Sequence, residues 1–348
     1  MIWIYSGIVW KDVLLAALVA ASMGCFFVGS ATHGVRSKFA LGASLAILLP
    51  LPMVRQQGIF LLPLLAMPPV FVLAWRGRLG PSLVRAAVLA IVLLTSYQFL
   101  KLCVQSAIAA SEGQDISVGL RSVMIYDLAG IEYYSERGTI AASGAPELVA
   151  KEIKKIYDGD RIDSLSASPV IATYFNSLDS QKVEELWKRG VREHTAAYLR
   201  HRANVSAWTF TLHGVSKCLP IHVGVAGIPE YLDAVNIRAE QDSRDDLVYG
   251  YAVEIFGTPW FRHWIYALAL VIVGVAIGIG GKRWSGKGRL LILMYVASGL
   301  AFYLSFLPTS IACDFRYLYT GVVLVTSLLL ALVSGWRFED PTALTARE

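Results

Sequence analysis

Charged residues are scarce in this sequence. Asp, Glu, Lys and Arg make up 16% of its 348 residues, whereas an ordinary soluble domain carries roughly 25%. Apolar residues reach 55% and the mean hydropathy is +0.54. This composition leaves too little polar surface to cover a globule of this size in water, and it also excludes a disordered chain. The sequence therefore predicts a membrane protein.

Cysteine is also rare, since four residues in 348 exclude a small disulfide scaffold. Cys25 falls in a predicted span. Cys103, Cys218 and Cys313 fall on or near one predicted face, where an oxidising compartment would permit one disulfide among them, but spacing does not select the pair. No spacing resembles a metal or redox motif, so we predict no metal site and no certain cofactor, and leave a divalent-metal requirement open.

Long apolar runs are abundant. Windows of about 19 residues detect seven of them, which we interpret as membrane spans: 13–30, 38–54, 58–75, 86–105, 261–280, 290–311 and 317–336. The second and third contain prolines, which membrane helices tolerate when their neighbours satisfy the freed backbone groups.

Charge is distributed unevenly along the chain. The polar stretch 106–259 holds 21 of the 26 acidic residues and has a net charge of −6, whereas the remainder has a net charge of +11. Three loops between predicted spans contain basic residues and no Asp or Glu, and the order of the spans places all three on the same side of the membrane. Their basic residues are Arg36, Lys38, Arg76, Arg78, Arg85, Lys282, Arg283, Lys287 and Arg289. The positive-inside rule makes that face cytoplasmic and places 106–259 outside. Because the basic residues follow the membrane loops, nucleic acid is not expected as a partner.

The predicted fold is mainly α, a polytopic bundle of about seven spans with one α or α+β extracytoplasmic domain. Residues 1–105 would form a membrane region with four spans, 106–259 the external domain, and 260–348 three spans with a short cytoplasmic tail. Within the domain, apolar spacing predicts helices over 146–157 and 179–203, and the short run 118–131 leaves strand and helix open. His194 and His201 are expected on a solvated helix surface.

Several charges stand where hydropathy would exclude them, all toward the predicted outer face. They are Lys11 and Asp12 at the mouth of the first span, Arg55 between two apolar runs, Asp314 and Arg316 between the last two spans, and Asp127 in an apolar run after the fourth span. Such charges are costly unless they are paired or face water. Each also has a simpler explanation: Lys11 and Arg55 would snorkel to the headgroups, Asp314 and Arg316 would form a local pair, and Asp127 would serve a cap or turn. Taken together, they predict a site for a charged lipid headgroup.

Four short segments carry a family resemblance: "RQQG" at 55–58, "DLAGI" at 127–131, "AAYLRHR" at 196–202 and "DFRYLY" at 314–319. In this arrangement the chain resembles bacterial polytopic glycosyltransferases of the C-type superfamily, which take a sugar from a polyprenyl phosphate at the outer membrane face. Members usually carry a catalytic carboxylate in the first external loop. Nothing before Lys11 supplies such a loop, so we expect this chain to be the carboxyl-terminal part of a longer protein.

The resemblance implies hexosyl or pentosyl transfer to an envelope glycan or lipid acceptor in the bacterial inner membrane. Arg316 and Arg55 would contact the donor phosphate, with Lys11 assisting and Asp314 orienting Arg316. Asp127 is the first candidate for the general base and Asp12 the second. Whether the chain is itself an enzyme stays open. Two alternatives remain, a membrane transporter and a non-catalytic envelope scaffold that presents an external domain.

Overall fold

The computed structural model describes residues 11–55, 57–74, 118–218, 223–225, 229–280 and 285–336, together with some positions between 84 and 102. Helices dominate these residues, as predicted, and none of them belongs to a β-strand. Two isolated antiparallel bridges, Arg161 with Ala312 and Val225 with Glu240, are the β-type pairings among them.

The helices follow the chain in three groups. The first group is α1 (Lys11–Ser30), α2 (Gly34–Leu48), α3 (Leu51–Val54) and α4 (Gly58–Ala74). The second is α5 (Val118–Tyr134), α6 (Thr139–Ala142), α7 (Glu147–Ile156), α8 (Asp163–Ala167), α9 (Pro169–Asn176), α10 (Ser180–Glu193), α11 (Thr195–Thr209), α12 (Pro229–Ala234) and α13 (Ser243–Ile255). The third is α14 (His263–Gly280), α15 (Gly286–Thr309) and α16 (Tyr319–Val333).

Five helical segments of the described chain are long and apolar enough to cross a membrane: Lys11–Ser30, Gly34–Val54, His263–Gly280, Gly286–Thr309 and Phe315–Val333. They correspond to five of the seven predicted spans. The third predicted span forms α4, which is apolar but has 17 residues. Of the fourth, 86–105, 11 of the 20 positions are described, and these are helical. The coarse prediction of a helical membrane protein thus agrees with the structure, and the number of spans stays a prediction.

Contacts divide the chain into two units. The first comprises Ile116–Trp264 and Leu307–Phe315, and the second comprises Ile2–Asp115, Ile265–Phe306 and Arg316–Glu348. The predicted limits of the external domain, 106–259, stay a prediction. Residues 307–315, which comprise the end of α15 and the link that follows it, also belong to the first unit, and their position in the sequence does not indicate this.

The first unit is built on α5, which packs against α10 and α11. The ambiguous run 118–131 is therefore helical. Gly130 permits this crossing, because a Cβ there would overlap the ring of His201. The predicted single helix over 179–203 is wrong, since the chain breaks at His194 (φ −123°, ψ 41°) into α10 and α11. The break lets both helices turn apolar residues toward one core, formed around Leu128, Ile153 and Val205.

In the second unit, α1 packs against α2 and α16, and α2 packs against α4. Small polar residues support these contacts, since the hydroxyl of Ser22 donates to the carbonyl of Ser44 at 3.0 Å. About one and a half turns further along α1, Trp336 Nε1 donates to the carbonyl of Phe27 at 3.2 Å. Such hydrogen bonds between neighbouring helices help association where water is absent.

Candidate functional site

An ion pair near the start of α1 joins two predicted site residues of the second unit. Asp12 lies in the first turn of α1, is 2% exposed, and forms a salt bridge with Arg55. Arg55 ends the short helix α3 in an extended conformation, and its Nε donates to Gln57 Oε1 at 2.8 Å. Gly58 makes the following turn feasible, because a Cβ there would overlap the carbonyl group of Leu51. The "RQQG" turn thus holds the Arg55 guanidinium on the Asp12 carboxylate.

Two guanidinium groups of the same unit lie on one aromatic ring. The guanidinium carbons of Arg55 and Arg316 lie 4.6 Å and 5.4 Å from the centroid of the Tyr317 ring. Both are within the range of a cation–π interaction. The exposed Lys11 adjoins this group and is subject to the electrostatic field of both arginines. Three cations are therefore gathered with one carboxylate, Asp12, which leaves the cluster with an excess of positive charge.

Asp314 lies in the first unit and is 8% exposed. Its Oδ1 lies 3.5 Å from Nη2 of Arg161, which also has Asp160 and Asp163 within 3.6 Å. Burial, followed by repulsion from Asp158, raises the pKa of Asp160. This contact assigns Asp314 to a charge group of the first unit, and its predicted role in orienting Arg316 stays a prediction.

Asp127 is completely buried in the first unit, where three side chains contact its carboxylate. Trp187 Nε1 donates to its Oδ2 at 2.8 Å, whereas Arg202 Nε and His201 Nε2 lie 2.6 and 3.2 Å from Oδ1 in ion-pair contacts. These side chains come from α10 and α11, so the carboxylate connects three helices. With both oxygens occupied and no exposed surface, this carboxylate is arranged to stabilise the unit.

His201 completes that network. The prediction of a solvated surface was wrong for this residue, which is 0% exposed because α11 turns this side toward α5. The ring receives the Tyr157 hydroxyl at Nδ1 over 2.7 Å, and Nε2 faces the Asp127 carboxylate. Burial lowers the pKa of His201, against the opposing effect of Asp127. The Tyr157 contact suits a neutral ring that accepts at Nδ1 and carries its proton on Nε2, on the side of the Asp127 carboxylate.

The segment 310–314 is non-helical and leads into a helical turn that begins at Phe315. Hydrogen bonds and a disulfide hold this segment in the first unit. The carbonyl of Ser310 accepts from Arg202 Nη1 at 2.7 Å, and the carbonyl of Ile311 accepts from the amide of Ile162 at 2.9 Å. The amide of Cys313 donates to the carbonyl of Asp160 at 2.9 Å, and the amide of Phe315 donates to the carbonyl of Cys218 at 3.0 Å. A disulfide joins Cys218 to Cys313, which selects one pair among the three predicted cysteines. Cys103 lies outside the described residues.

This clamp was missed by sequence reasoning, apart from its two cysteines. Phe315 also receives His263 Nε2 at its carbonyl over 3.1 Å, and the two rings stack 4.1 Å apart. Backbone N–H and C=O groups do not depend on the identity of the side chain, so neither composition nor periodicity predicts these hydrogen bonds. The chain continues from Phe315 directly into Arg316 and Tyr317.

A cavity of about 750 Å³ opens in the first unit between α7, α9 and α10. Its walls include Val149, Tyr174, Leu178 and Lys182, and no predicted site residue lines it. Among the described residues, no group of three or more His, Cys, Asp or Glu side chains is arranged to hold a metal ion.

The structure thus gathers Lys11, Asp12, Arg55 and Arg316 in the second unit and places Asp127 and Asp314 in the first. No protein family model matches the chain, and no curated protein or solved structure matches it either. Function therefore has to be inferred from the chemistry of the site itself.

Proposed function

We propose that this chain binds a polyprenyl phosphate sugar in the bacterial inner membrane and serves its transfer to a cell-envelope glycan or lipid. The observation that carries the proposal is the placement of Arg55 and Arg316 on Tyr317 with Lys11 beside them. These cations stand at the ends of apolar helices, where the phosphate of an isoprenoid lipid would lie.

A phosphate group suits this cluster for geometric reasons. A guanidinium presents paired N–H donors that match two phosphate oxygens, and an ammonium adds a point charge. Arg316 and Tyr317 are partly exposed, so a ligand can approach them. Arg55 is held by Asp12 and Gln57, which limits the conformational entropy it would lose on binding.

Transfer would be a displacement at the anomeric carbon. The acceptor hydroxyl oxygen bonds to that carbon, the bond from the carbon to the phosphate oxygen breaks, and the lipid phosphate leaves with the electron pair. A general base takes the hydroxyl proton, and the cations stabilise the leaving phosphate. Asp12 is paired with Arg55 and Asp127 with Arg202. Each carboxylate would therefore have to exchange its cation for the acceptor hydroxyl before it acts as base.

The complete burial of Asp127 and its ion pair with Arg202 favour a second candidate, a protein that binds the lipid donor without turnover and presents the first unit to an envelope complex. Both candidates share the phosphate site and differ in whether sugar transfer follows. A transfer assay with polyprenyl phosphate hexoses and pentoses, run beside the binding assay below, separates them.

The proposed orientation, with 106–259 extracytoplasmic, is tested by labelling intact cells with a membrane-impermeant maleimide. Cysteines introduced at Gln57 and Gln181 should react, whereas those at Gly80 and Ser285 should react only after lysis. Reaction at Ser285 in intact cells would reverse the orientation and exclude an extracytoplasmic phosphate site.

Binding is tested with the full chain in lipid nanodiscs and a short-chain polyprenyl phosphate as probe. Arg316→Ala should weaken binding by about 10- to 100-fold, because a hydrogen bond to a charged group contributes about 1.5–3 kcal/mol. Arg316→Lys should recover only part of the affinity, since the paired donors are lost. Arg36→Ala removes the same charge from an exposed position on the opposite predicted face and should bind as the parent does.

Folded yield and melting temperature are measured for each variant. These controls distinguish a loss of affinity from a loss of folded protein. Equal affinity of well-folded parent and Arg316→Ala proteins would remove Arg316 from the site. Parent protein that fails to bind any polyprenyl phosphate would contradict the proposed function as a whole.

A further inference from the structure

A second cavity of the first unit, which we call the polar cleft, has a volume of about 460 Å³. Sites for small molecules usually measure about 300–1,000 Å³. The polar cleft lies where the loop after α5 meets the break between α10 and α11, and no residue of the proposed phosphate site lines it. Half of its lining residues are charged residues or histidine: Glu136, Arg137, Glu193, His194 and Arg200.

The wall of the polar cleft is ordered by contacts behind it. Lys154 Nζ donates to the carbonyls of Ser135 and Glu136 at 3.0 and 2.9 Å, which holds the loop after α5. The Tyr134 ring packs edge-on against Tyr157, with ring centroids 6.0 Å apart. A wall that is already ordered loses little conformational entropy when a ligand binds.

The four charged side chains of the polar cleft are exposed and available to a ligand. Among the described residues, none of these four side chains has an ion-pair partner within 4.0 Å. By contrast, Lys182 and Lys188 of α10 each pair with a glutamate, at 3.2 and 2.6 Å. The polar cleft thus gathers two guanidinium groups and two carboxylates that do not neutralise one another by direct contact.

The chemistry of these side chains restricts the class of ligand. A carboxylate only accepts hydrogen bonds and a guanidinium only donates them, so a ligand that uses both has to offer donors and acceptors side by side. A hydroxyl group offers both. Because two arginines and two glutamates balance in charge, the cleft has no net charge to select an anion or a cation. A neutral compound rich in hydroxyl groups, a saccharide, meets these conditions.

Tyr134 adds the apolar surface that a sugar ring needs. Its ring is partly exposed and lines the cleft. The face of an aromatic ring carries negative charge density, which attracts the polarised C–H groups of a pyranose. Apart from this ring, the apolar lining consists of Ala196 and Ala197, which is too little to hold a lipid chain.

We propose that the polar cleft binds a neutral saccharide. Arg137 and Arg200 donate hydrogen bonds to its hydroxyl groups, Glu136 and Glu193 accept from them, and Tyr134 lies against the sugar ring. The inference does not rest on the proposed phosphate site, because it uses residues of the other unit and requires no sugar transfer.

The test is saturation-transfer difference NMR with the full chain in phosphatidylcholine nanodiscs. The probes are glucose, mannose, galactose and N-acetylglucosamine, each as the free sugar and as a linear trisaccharide, with glucuronic acid as the anionic comparison. At least one neutral probe should bind the parent protein. Arg200→Ala and Glu193→Ala should each weaken that binding by about 10-fold, because both remove hydrogen bonds to a charged group.

Matched controls remove the same charges from exposed positions of α10 outside the polar cleft. Arg189→Ala and Glu184→Ala should bind the probe as the parent does. Melting temperatures verify that each variant is folded. If a variant of the first pair fails to fold, Arg137→Ala and Glu136→Ala repeat the test on the opposite wall.

Three results would overturn the inference. Failure of the folded parent to bind any neutral sugar would exclude a saccharide. Unchanged binding in both Arg200→Ala and Glu193→Ala would place the sugar elsewhere on the chain. Preference for glucuronic acid over every neutral probe, strengthened further by Glu193→Ala, would identify an anion site instead.

Discussion

Arg202 Nε lies 2.6 Å from Oδ1 of Asp127 in an ion pair deep inside the first unit. The same guanidinium donates through Nη1 to the carbonyl of Ser310. The pair therefore connects α5 and α11 with the clamped segment that leads to Arg316. Breaking a buried ion pair costs about 3–5 kcal/mol because the remaining charge stays uncompensated, whereas replacing both partners by apolar groups often costs little.

This asymmetry predicts a pattern of melting temperatures. Asp127→Ala and Arg202→Met should each destabilise the protein strongly, and the double variant should lose less than the sum of the two single losses. Lys188→Ala is the control, because its pair with Glu184 is more than 40% exposed on both sides and should contribute at most about 1 kcal/mol. Purified protein in detergent is melted with circular dichroism as readout. Strict additivity of the two single losses would contradict the coupling.

Asp127→Asn tests the predicted general base separately. The amide keeps the volume of the carboxylate, so enough folded protein should be recovered for assay. Loss of a general base lowers transfer by about 10²- to 10⁴-fold in the folded fraction. A carboxylate that only connects helices would lower transfer in proportion to the folded protein. Asp12→Asn, assayed in parallel, addresses the second candidate.

The stability of the first unit should fall as the pH falls. Burial lowers the pKa of His201 below its unfolded value of about 6.5, so the unfolded chain binds a proton more readily than the folded one. The stabilisation that the neutral His201 ring gives to the folded state is complete above pH 6.5 and is lost as the pH drops toward the pKa of His201 in the folded protein. Melting temperatures between pH 8 and pH 5 measure it. His201→Gln should flatten the profile, whereas His194→Gln should retain the parental slope.

The helix crossing at Gly130 makes a prediction about glycine. A Cβ at this position would overlap the His201 ring, so Gly130→Ala should destabilise the protein by about 1–3 kcal/mol, as overpacking does. Gly250→Ala is the matched control in α13, where a Cβ would meet no atom within 4 Å. It should stabilise α13 by up to about 1 kcal/mol through helix propensity. Equal melting temperatures for the two variants would show that the crossing has room for a methyl group.

The disulfide between Cys218 and Cys313 closes a loop with a sequence separation of 95 residues. Its reduction should destabilise the first unit by about 2–4 kcal/mol. Cys313→Ser should reproduce the effect and be insensitive to reductant. Cys25→Ser should behave like the parent, since Cys25 is a free thiol. An unchanged melting temperature after reduction, with the free thiols confirmed by mass spectrometry, would refute this contribution.

Much of the architecture follows from local patterns. The apolar runs near residues 13–30 and 261–280 predict the helices α1 and α14 within a few residues, because membrane-length hydrophobicity is a property of consecutive residues. The run 146–157 predicts α7 for the same kind of reason, through its apolar face. The break at His194 escaped prediction, since apolar spacing continues through it and the break depends on how α10 and α11 pack on α5.

For the site, too, the sequence predicts some features and only the tertiary structure decides the others. The chemical identity of Lys11, Asp12, Arg55 and Arg316 as charges in an apolar setting is visible in the sequence. Tertiary structure alone decides that Arg55 pairs with Asp12 and lies on Tyr317, that Asp127 and His201 are enclosed, and that Cys313 bonds to Cys218. The physical reason is that burial and pairing depend on residues far apart in the chain, whereas hydropathy and helical periodicity depend on neighbours.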